Sequence, residues 1–252
     1  KSFEIEPQNT EVLNRLGVHY QWDRKNYEKS EKYYLLALEL DSTSRNPNIN
    51  LGVLYSDMQQ FEESIKYYSK AIIIDPQYAN TYVFRGNLHK EIGDYEKAKN
   101  DFLKALELDP NNTNGLISLA RLYDKDKLNE PELAIVQYLK ILEYDPKNAS
   151  ALNNLGSIYS SSILNIEKAK EFFLKVIEID SLNIYPYANL AVINRDQKQF
   201  EESIKYVSKA IEINPNNDYL YFIRSKPYEE LNMLEMAKDD FLKAIELDSD
   251  YT

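Results

Sequence analysis

Residues Arg45 to Tyr78 read RNPNINLGVLYSDMQQFEESIKYYSKAIIIDPQY, and the next 34 residues, Ala79 to Asn112, read ANTYVFRGNLHKEIGDYEKAKNDFLKALELDPNN. Laid on one another, the two share a skeleton: Leu or Arg, Gly, two variable residues, Tyr or His, then a small residue, an aromatic, Ala and Asp-Pro. The skeleton returns along the whole chain. A period of this length marks a stack of supersecondary units, each burying its apolar face on its neighbours.

Working outward, the units run 10–44, 45–78, 79–112, 113–148, 149–183, 184–217 and 218–251. Residues 1–9 read as the tail of a preceding helix in a longer protein, stopped by Pro7, and Thr252 opens an eighth unit. Each unit reads as two antiparallel helices, because Leu51, Leu54 and Tyr55, and then Ile65, Tyr68, Ala71 and Ile72, recur at helical spacing. Gly93-Asp94 marks the turn between them, with Asp94 as a cap. Pro76, Pro110, Pro146 and Pro215 end second helices by forcing the preceding residue out of helical geometry. Ser42, Ser181 and Ser249 replace that Pro, so those junctions are expected to be less stiff. Extra residues fall at the inter-helix turn, near Trp22 to Asn26, Lys125 to Pro131 and Ser161 to Asn165, where a surface loop tolerates them or offers them as contact points.

Small residues recur where the helices of a unit must approach: Gly17, Gly52, Gly86, Ala120, Gly156 and Ala191, facing Ser30, Ser64, Ala98, Ala134, Ala169, Ser203 and Ala237. Large aromatics (Tyr34, Tyr68, Phe102, Tyr138, Phe173, Phe241) are expected to fill the space between units. Where the slot before the small residue is Arg rather than Leu, in Arg85 and Arg224, the residue before the aromatic becomes Asp, in Asp101 and Asp240. The exchange predicts ion pairs Arg85–Asp101 and Arg224–Asp240, partly exposed and contributing about 0–1 kcal/mol. Pro227 falls inside a first helix, where it removes a backbone bond, so either the last unit is locally irregular or its first helix starts later.

Composition excludes several classes of function. The net charge of −11 argues against a general nucleic-acid grip, which needs clustered Lys and Arg. The chain has no Cys, so it has neither disulfides nor thiolate metal sites, in keeping with residence inside the cell, in the cytoplasm. No apolar run approaches the ~20 residues that cross a bilayer. Catalysis needs convergent groups; His19 and His89 are the only histidines and stand about two units apart, His89 in a slot that other units fill with Tyr20, Tyr55, Tyr123 and Tyr159. No Gly-rich phosphate loop or nucleophile elbow is present. The acidic residues alternate with Lys along second helices, as a solvated face does. The chain reads as a non-enzyme without catalytic, metal or cofactor residues.

The pattern of Leu-Gly-x-x-Tyr, small residue, aromatic, Ala and Asp-Pro resembles the tetratricopeptide repeat over essentially the whole chain; the RNA-binding pentatricopeptide repeats fit less well because of the acidic charge and the Asp-Pro endings. The resemblance implies an all-α, right-handed superhelical solenoid of antiparallel helix pairs, one array over 1–252, with first helices lining a concave groove. On that geometry the groove carries Asn50, Asn154 and Asn189, interrupted by Arg15, Phe84, Ser118 and Ile223, with Asn14 and Asn153 one residue upstream. Asn87 and Arg121 follow the small slot, Arg195 lies further along, and Trp22 closes a first helix beside an inserted turn. An inward Asn offers donor and acceptor to an extended peptide backbone, and this partial ladder is similar to the groove of the O-linked N-acetylglucosamine transferase superhelix. The Lys, Asn and Arg set of a chaperone-type carboxylate clamp is not assembled on neighbouring units. Trp22, Phe84, Tyr185, Tyr219 and Phe222 are aromatic candidates for contact, with Phe84 and Phe222 expected to tuck into neighbouring units.

The expected function is therefore a scaffold that holds another protein or a peptide segment in its groove. Two alternatives stand beside it: an architectural segment of a large assembly, held by edges, convex face and uncapped ends that take further repeats or self-associate, and the substrate-selecting arm of an enzyme whose catalytic domain lies outside this chain.

Overall fold

A computed structural model describes residues 9–123 and 128–248. Residues 1–8 of the expected helix tail, 124–127 of an expected inter-helix turn, and 249–252 lie outside them, while Asn9, the last residue of that expected tail, instead caps the first helix by accepting from the Glu11 and Val12 N–H groups. All regular structure among the described residues is α-helical. The helices form two compact bodies divided between Asn129 and Glu130. The first holds α1 (Thr10–Trp22), α2 (Tyr27–Leu40), α3 (Arg45–Asp57), α4 (Phe61–Ile74), α5 (Ala79–Glu91), α6 (Tyr95–Leu108) and α7 (Thr113–Leu122). The second holds α8 (Pro131–Tyr144), α9 (Ala149–Ser161), α10 (Ile166–Ile179), α11 (Ile184–Asp196), α12 (Phe200–Ile213), α13 (Asp218–Glu230) and α14 (Leu234–Leu247).

The small slots explain the close approach within a pair. A Cβ added at Gly52 would sit 2.5 Å from Cε1 of Tyr68, and one at Gly86 or Gly156 would meet Phe102 or Phe173 at 2.6 Å. The same rings then reach the next unit. Tyr34 is fully buried in a cluster with Leu51, Leu54, Tyr55 and Tyr67, and Tyr68 packs with Ile49, Ala71 and Leu88. Burial of side chains of this size stabilises by roughly 1.5–3 kcal/mol each. The facing small residue does more than leave room where it is serine. The hydroxyls of Ser30, Ser64 and Ser203 donate to the carbonyls of Gly17, Gly52 and Ala191 at 2.9, 2.6 and 2.8 Å, so the crossing is hydrogen-bonded as well as close.

The six turns within a pair whose residues are all described share one feature. A residue with positive φ (Lys25 at 49°, Gln59 at 58°, Gly93 at 83°, Leu164 at 57°, Lys198 at 60°, Asn232 at 58°) precedes the start of the second helix. The next N–H then donates back to the first helix, as from Gln60 to the Tyr55 carbonyl and from Asp94 to the His89 carbonyl, both at 2.8 Å. Asp94 also caps α6 by accepting from the Lys97 N–H. Second helices end on a residue in extended geometry. Asp75 and Asp109, which precede Pro, have φ of −135° and −139°, and Asp41 and Asp180, which precede Ser, have −146° and −141°. The carboxylates of Asp41, Asp75, Asp109 and Asp180 accept from the N–H two residues on, an Asx turn that sets the cap without Pro. Ser42 and Ser181 thus leave the cap conformation unchanged.

Pro227 does not disrupt its helix, contrary to the expectation from sequence. α13 runs unbroken from Asp218 to Glu230, the same 13 residues as α3 and α5. The ring occupies the slot filled by Leu54 and Leu88 in earlier units and is buried like them; filling that slot holds the helix together despite the missing donor.

Candidate functional site

In the first body the groove candidates gather on the first helices. Asn50 on α3 donates to the amide oxygen of Asn14 on α1 at 2.9 Å. Asn14 also lines a polar recess of about 380 Å³, together with Thr10, Glu11, Arg15, Ser44 and Asn46 among others. Arg15 is exposed and pairs with Glu11 at 2.6 Å. Asn87 is half-buried, with its oxygen 3.5 Å from the Lys90 ammonium, and Arg121 is exposed. Trp22 is 60% exposed at the end of α1, so it contributes little to the core.

The second body treats its candidates differently. Asn154 turns back onto its own helix, donating to the Ser150 carbonyl at 2.7 Å. Asn153 has a buried amide oxygen without a hydrogen-bond partner. Asn189 is half-buried, and Arg195 is held against Asp196 at 2.7 Å. The ladder slot is also not a free stripe. Phe84 stacks on Tyr68 at 6.0 Å between centroids, Ser118 is buried, and Ile223 belongs to a core cluster with Tyr187, Ala191, Val207 and Leu220. Phe84 tucks in as expected. Phe222 does not: it is 45% exposed, with its edge against Phe241 of its own unit.

A more open column lies four residues before the ladder slot; its tyrosines were expected as contact residues, and its asparagines were missed. It carries Asn46, Asn80 and Asn114 on α3, α5 and α7, and Tyr185 and Tyr219 on α11 and α13, the last two 65% and 57% exposed. Asn80 is tied to the chain by accepting from the Asn112 amide at 2.8 Å. Three asparagines recurring at the second residue of consecutive first helices were the available signal.

Electrostatics concentrate in the two expected ion pairs. Arg85 donates from Nε and Nη2 to both oxygens of Asp101, at 2.9 and 2.7 Å, and Arg224 repeats the fork on Asp240 at 2.8 and 2.7 Å. A third contact was not foreseen. Nη1 of each arginine donates to a serine of the preceding unit, Ser69 at 3.0 Å and Ser208 at 3.2 Å. Five other units place Leu35, Leu103, Leu139, Leu174 or Leu242 at that serine position. The acids are buried, with Asp101 and Asp240 only 6% and 5% exposed, so the estimate for a partly exposed pair does not apply. Hydrogen bonding to Asp101 raises the Arg85 pKa further above its ordinary value. His89 is buried beside this pair, and burial lowers its pKa. His19 bonds Asp23 at 2.7 Å on the surface. Among the described residues no group of three His, Asp or Glu side chains is placed to hold a metal ion, and no helix is long and apolar enough to cross a membrane.

Models of the tetratricopeptide repeat match residues 10–44, 49–78, 79–112, 137–171, 184–217 and 219–251. A tetratricopeptide repeat protein from Parabacteroides merdae superposes with a TM-score of 0.74 at 20% identity, over 97% of this chain and 95% of that one. YrrB, a TPR protein with an unusual peptide-binding site, superposes at 0.55 with 26% identity, over 72% of this chain and 92% of its own. A UDP-N-acetylglucosamine–peptide N-acetylglucosaminyltransferase of Giardia intestinalis is 40% identical over 65 residues, 26% of this chain and 4% of that protein. The Hsp70/Hsp90 co-chaperone CNS1 of Saccharomyces cerevisiae is 36% identical over 74 residues, 28% of this chain and 19% of that protein. The chain thus spans only a small part of these curated relatives.

Proposed function

Because the chain belongs to the tetratricopeptide repeat family, we propose that it is a non-catalytic scaffold that holds an extended segment of another protein against the first helices of its first body. The observation that carries this reading is the Asn14–Asn50 bond beside the polar recess. The bond uses one donor and one acceptor, leaving the Asn14 amide N–H groups and the Asn50 amide oxygen for a peptide backbone. The exposed column of Asn46 and Asn114 extends the same chemistry along neighbouring helices. Trp22, exposed at the end of α1, adds an apolar anchor of the type that dominates interface energies. The peptide-binding site of YrrB supports the reading by likeness.

Affinity capture from native lysate tests it, with the wild type beside an Asn14→Ala/Asn50→Ala variant whose helicity is checked. A partner held by the first and lost by the folded variant supports the amide face. Equal capture by both overturns it. The similarity to a peptide N-acetylglucosaminyltransferase favours one further reading, a substrate-selecting arm of such an enzyme. The coding sequence around this segment tests that, and a parent gene without a transferase domain sinks it.

A further inference from the structure

The clearest departures from the repeat lie elsewhere in the first body, and two of them meet. The fourth residue of a first helix is large and apolar or aromatic in six units: Leu13, Tyr82, Leu116, Leu152, Tyr187 and Tyr221. In the second unit it is Asn48. The residue two before the end-cap of a second helix is Glu39, Glu107, Glu143, Glu178, Glu212 or Glu246 in six units, but Ile73 in the second. Ile73 is 80% exposed, the most exposed large hydrophobic side chain among the described residues. Asn48, Ile73 and Ile74 line one pocket of about 330 Å³ together with Leu38, Ser42 and Lys70. The missing large side chain at Asn48 leaves the space, and Ile73 makes its rim apolar.

The same exchange changes the charge at the rim. On α6, α12 and α14 the Lys three residues before this glutamate pairs with it, Lys104–Glu107 and Lys209–Glu212 at 2.8 Å and Lys243–Glu246 at 3.0 Å. Lys70 occupies that lysine position, and with Ile73 in place of Glu it has no carboxylate within its own helix turn. Its ammonium lies over the Tyr67 ring, 4.6 Å from the centroid. A lysine without the in-helix glutamate that three other units give it thus stands beside an apolar pocket and an exposed isoleucine.

We propose that this pocket is a docking site for a partner protein segment that presents an aliphatic side chain with a carboxylate beside it. The side chain enters the space left at Asn48 and covers Ile73. The carboxylate takes the place of the absent glutamate on Lys70. The pocket shares no lining residue with the polar recess beside Asn14, although Ser42 and Asn48 directly follow Asp41 and Pro47 of that recess in the chain.

The probes are the dipeptides acetyl-Leu-Glu-amide and acetyl-Leu-Gln-amide, which differ only in charge, titrated into the full chain and followed by methyl NMR. Expected are shifts of the Leu38, Ile73 and Ile74 methyls, with the neutral probe binding roughly three- to fivefold more weakly. Ile73→Glu restores the lysine–glutamate pair on an exposed position, so it should fold as the wild type does and lose the shifts. Asn48→Tyr, which supplies the residue that the next unit has in Tyr82, should lose them as well. Equal shifts with both probes, or shifts that survive Ile73→Glu, overturn the proposal. So does concentration-dependent dimerisation that Ile73→Glu abolishes, because the face would then be a contact between copies of this chain.

Discussion

Replacing Asp101 by Ala is expected to cost about 2–3 kcal/mol, far more than a surface ion pair. An exposed pair contributes about 0–1 kcal/mol because water competes for both charges, whereas breaking a buried pair costs about 3–5 kcal/mol by stranding one charge. The Arg85–Asp101 side chains are 22% and 9% exposed, nearer the second case. Arg85 keeps its bond to Ser69 and can turn partly to solvent, which places the estimate at or just below the lower bound. The origin of the cost can be separated from its size. Arg85→Leu, Asp101→Tyr and Ser69→Leu together recreate the set Leu51, Tyr67 and Leu35 found one unit earlier, and this triple variant should recover most of the loss. Urea unfolding, with the slope compared across variants, measures both. A single variant that loses less than about 1 kcal/mol, or a triple no more stable than the single, would refute the argument.

Gly52→Leu should destabilise by roughly 1–3 kcal/mol, since even its Cβ meets the Tyr68 ring; an unchanged melting temperature would contradict this. His89 should make stability fall as acid is added. Its pKa is lowered by burial against the opposing pull of Asp101, so below the ordinary histidine value of about 6.5 the unfolded chain binds the proton more readily than the folded one. The loss saturates below the lowered value, and His89→Tyr, the residue of neighbouring units, should flatten this part of a pH series of urea midpoints. Trp22 is the one tryptophan, so its emission should be red-shifted and readily quenched by acrylamide. Trp22→Ala should leave the melting temperature unchanged; a clear drop would assign the ring to the core.

The fold was legible because the repeat writes the same packing problem many times, and the constant residues are those that touch. Glycine and its facing aromatic, the Asp-Pro cap and the Arg–Asp exchange each follow from comparing units within one chain. What escaped were contacts that cross from one unit to the next. The serine acceptors for Arg85 and Arg224 lie one unit upstream of the residues that revealed the pairs, so comparison within a unit could not find them. Pro227 misled because the chemistry of one residue was weighed without the apolar slot it fills. The amide ladder was only partly legible for a related reason: its slot borders the core, and whether Asn, Phe or Ile stands there decides whether it opens or packs. Asn50 meets Asn14 across two helices, while Asn154 satisfies itself on its own backbone, and sequence spacing treats the two alike.

The turn geometry also separates loop length from packing. In the units of Tyr55 and His89 the back-bond closes over five residues, from Gln60 and Asp94. In two longer units it closes over six, from Asn26 to the Tyr20 carbonyl and from Asn165 to the Tyr159 carbonyl, again at 2.8 Å. The added residue is absorbed inside the closed loop, and the second helix still begins from the same anchored N–H. Each such turn therefore acts as an adapter of adjustable length. A short epitope or tether grafted after Asp23 or Ser162 would enlarge only that loop, giving permissive attachment points at which the array can be labelled or immobilised without disturbing how its helices stack.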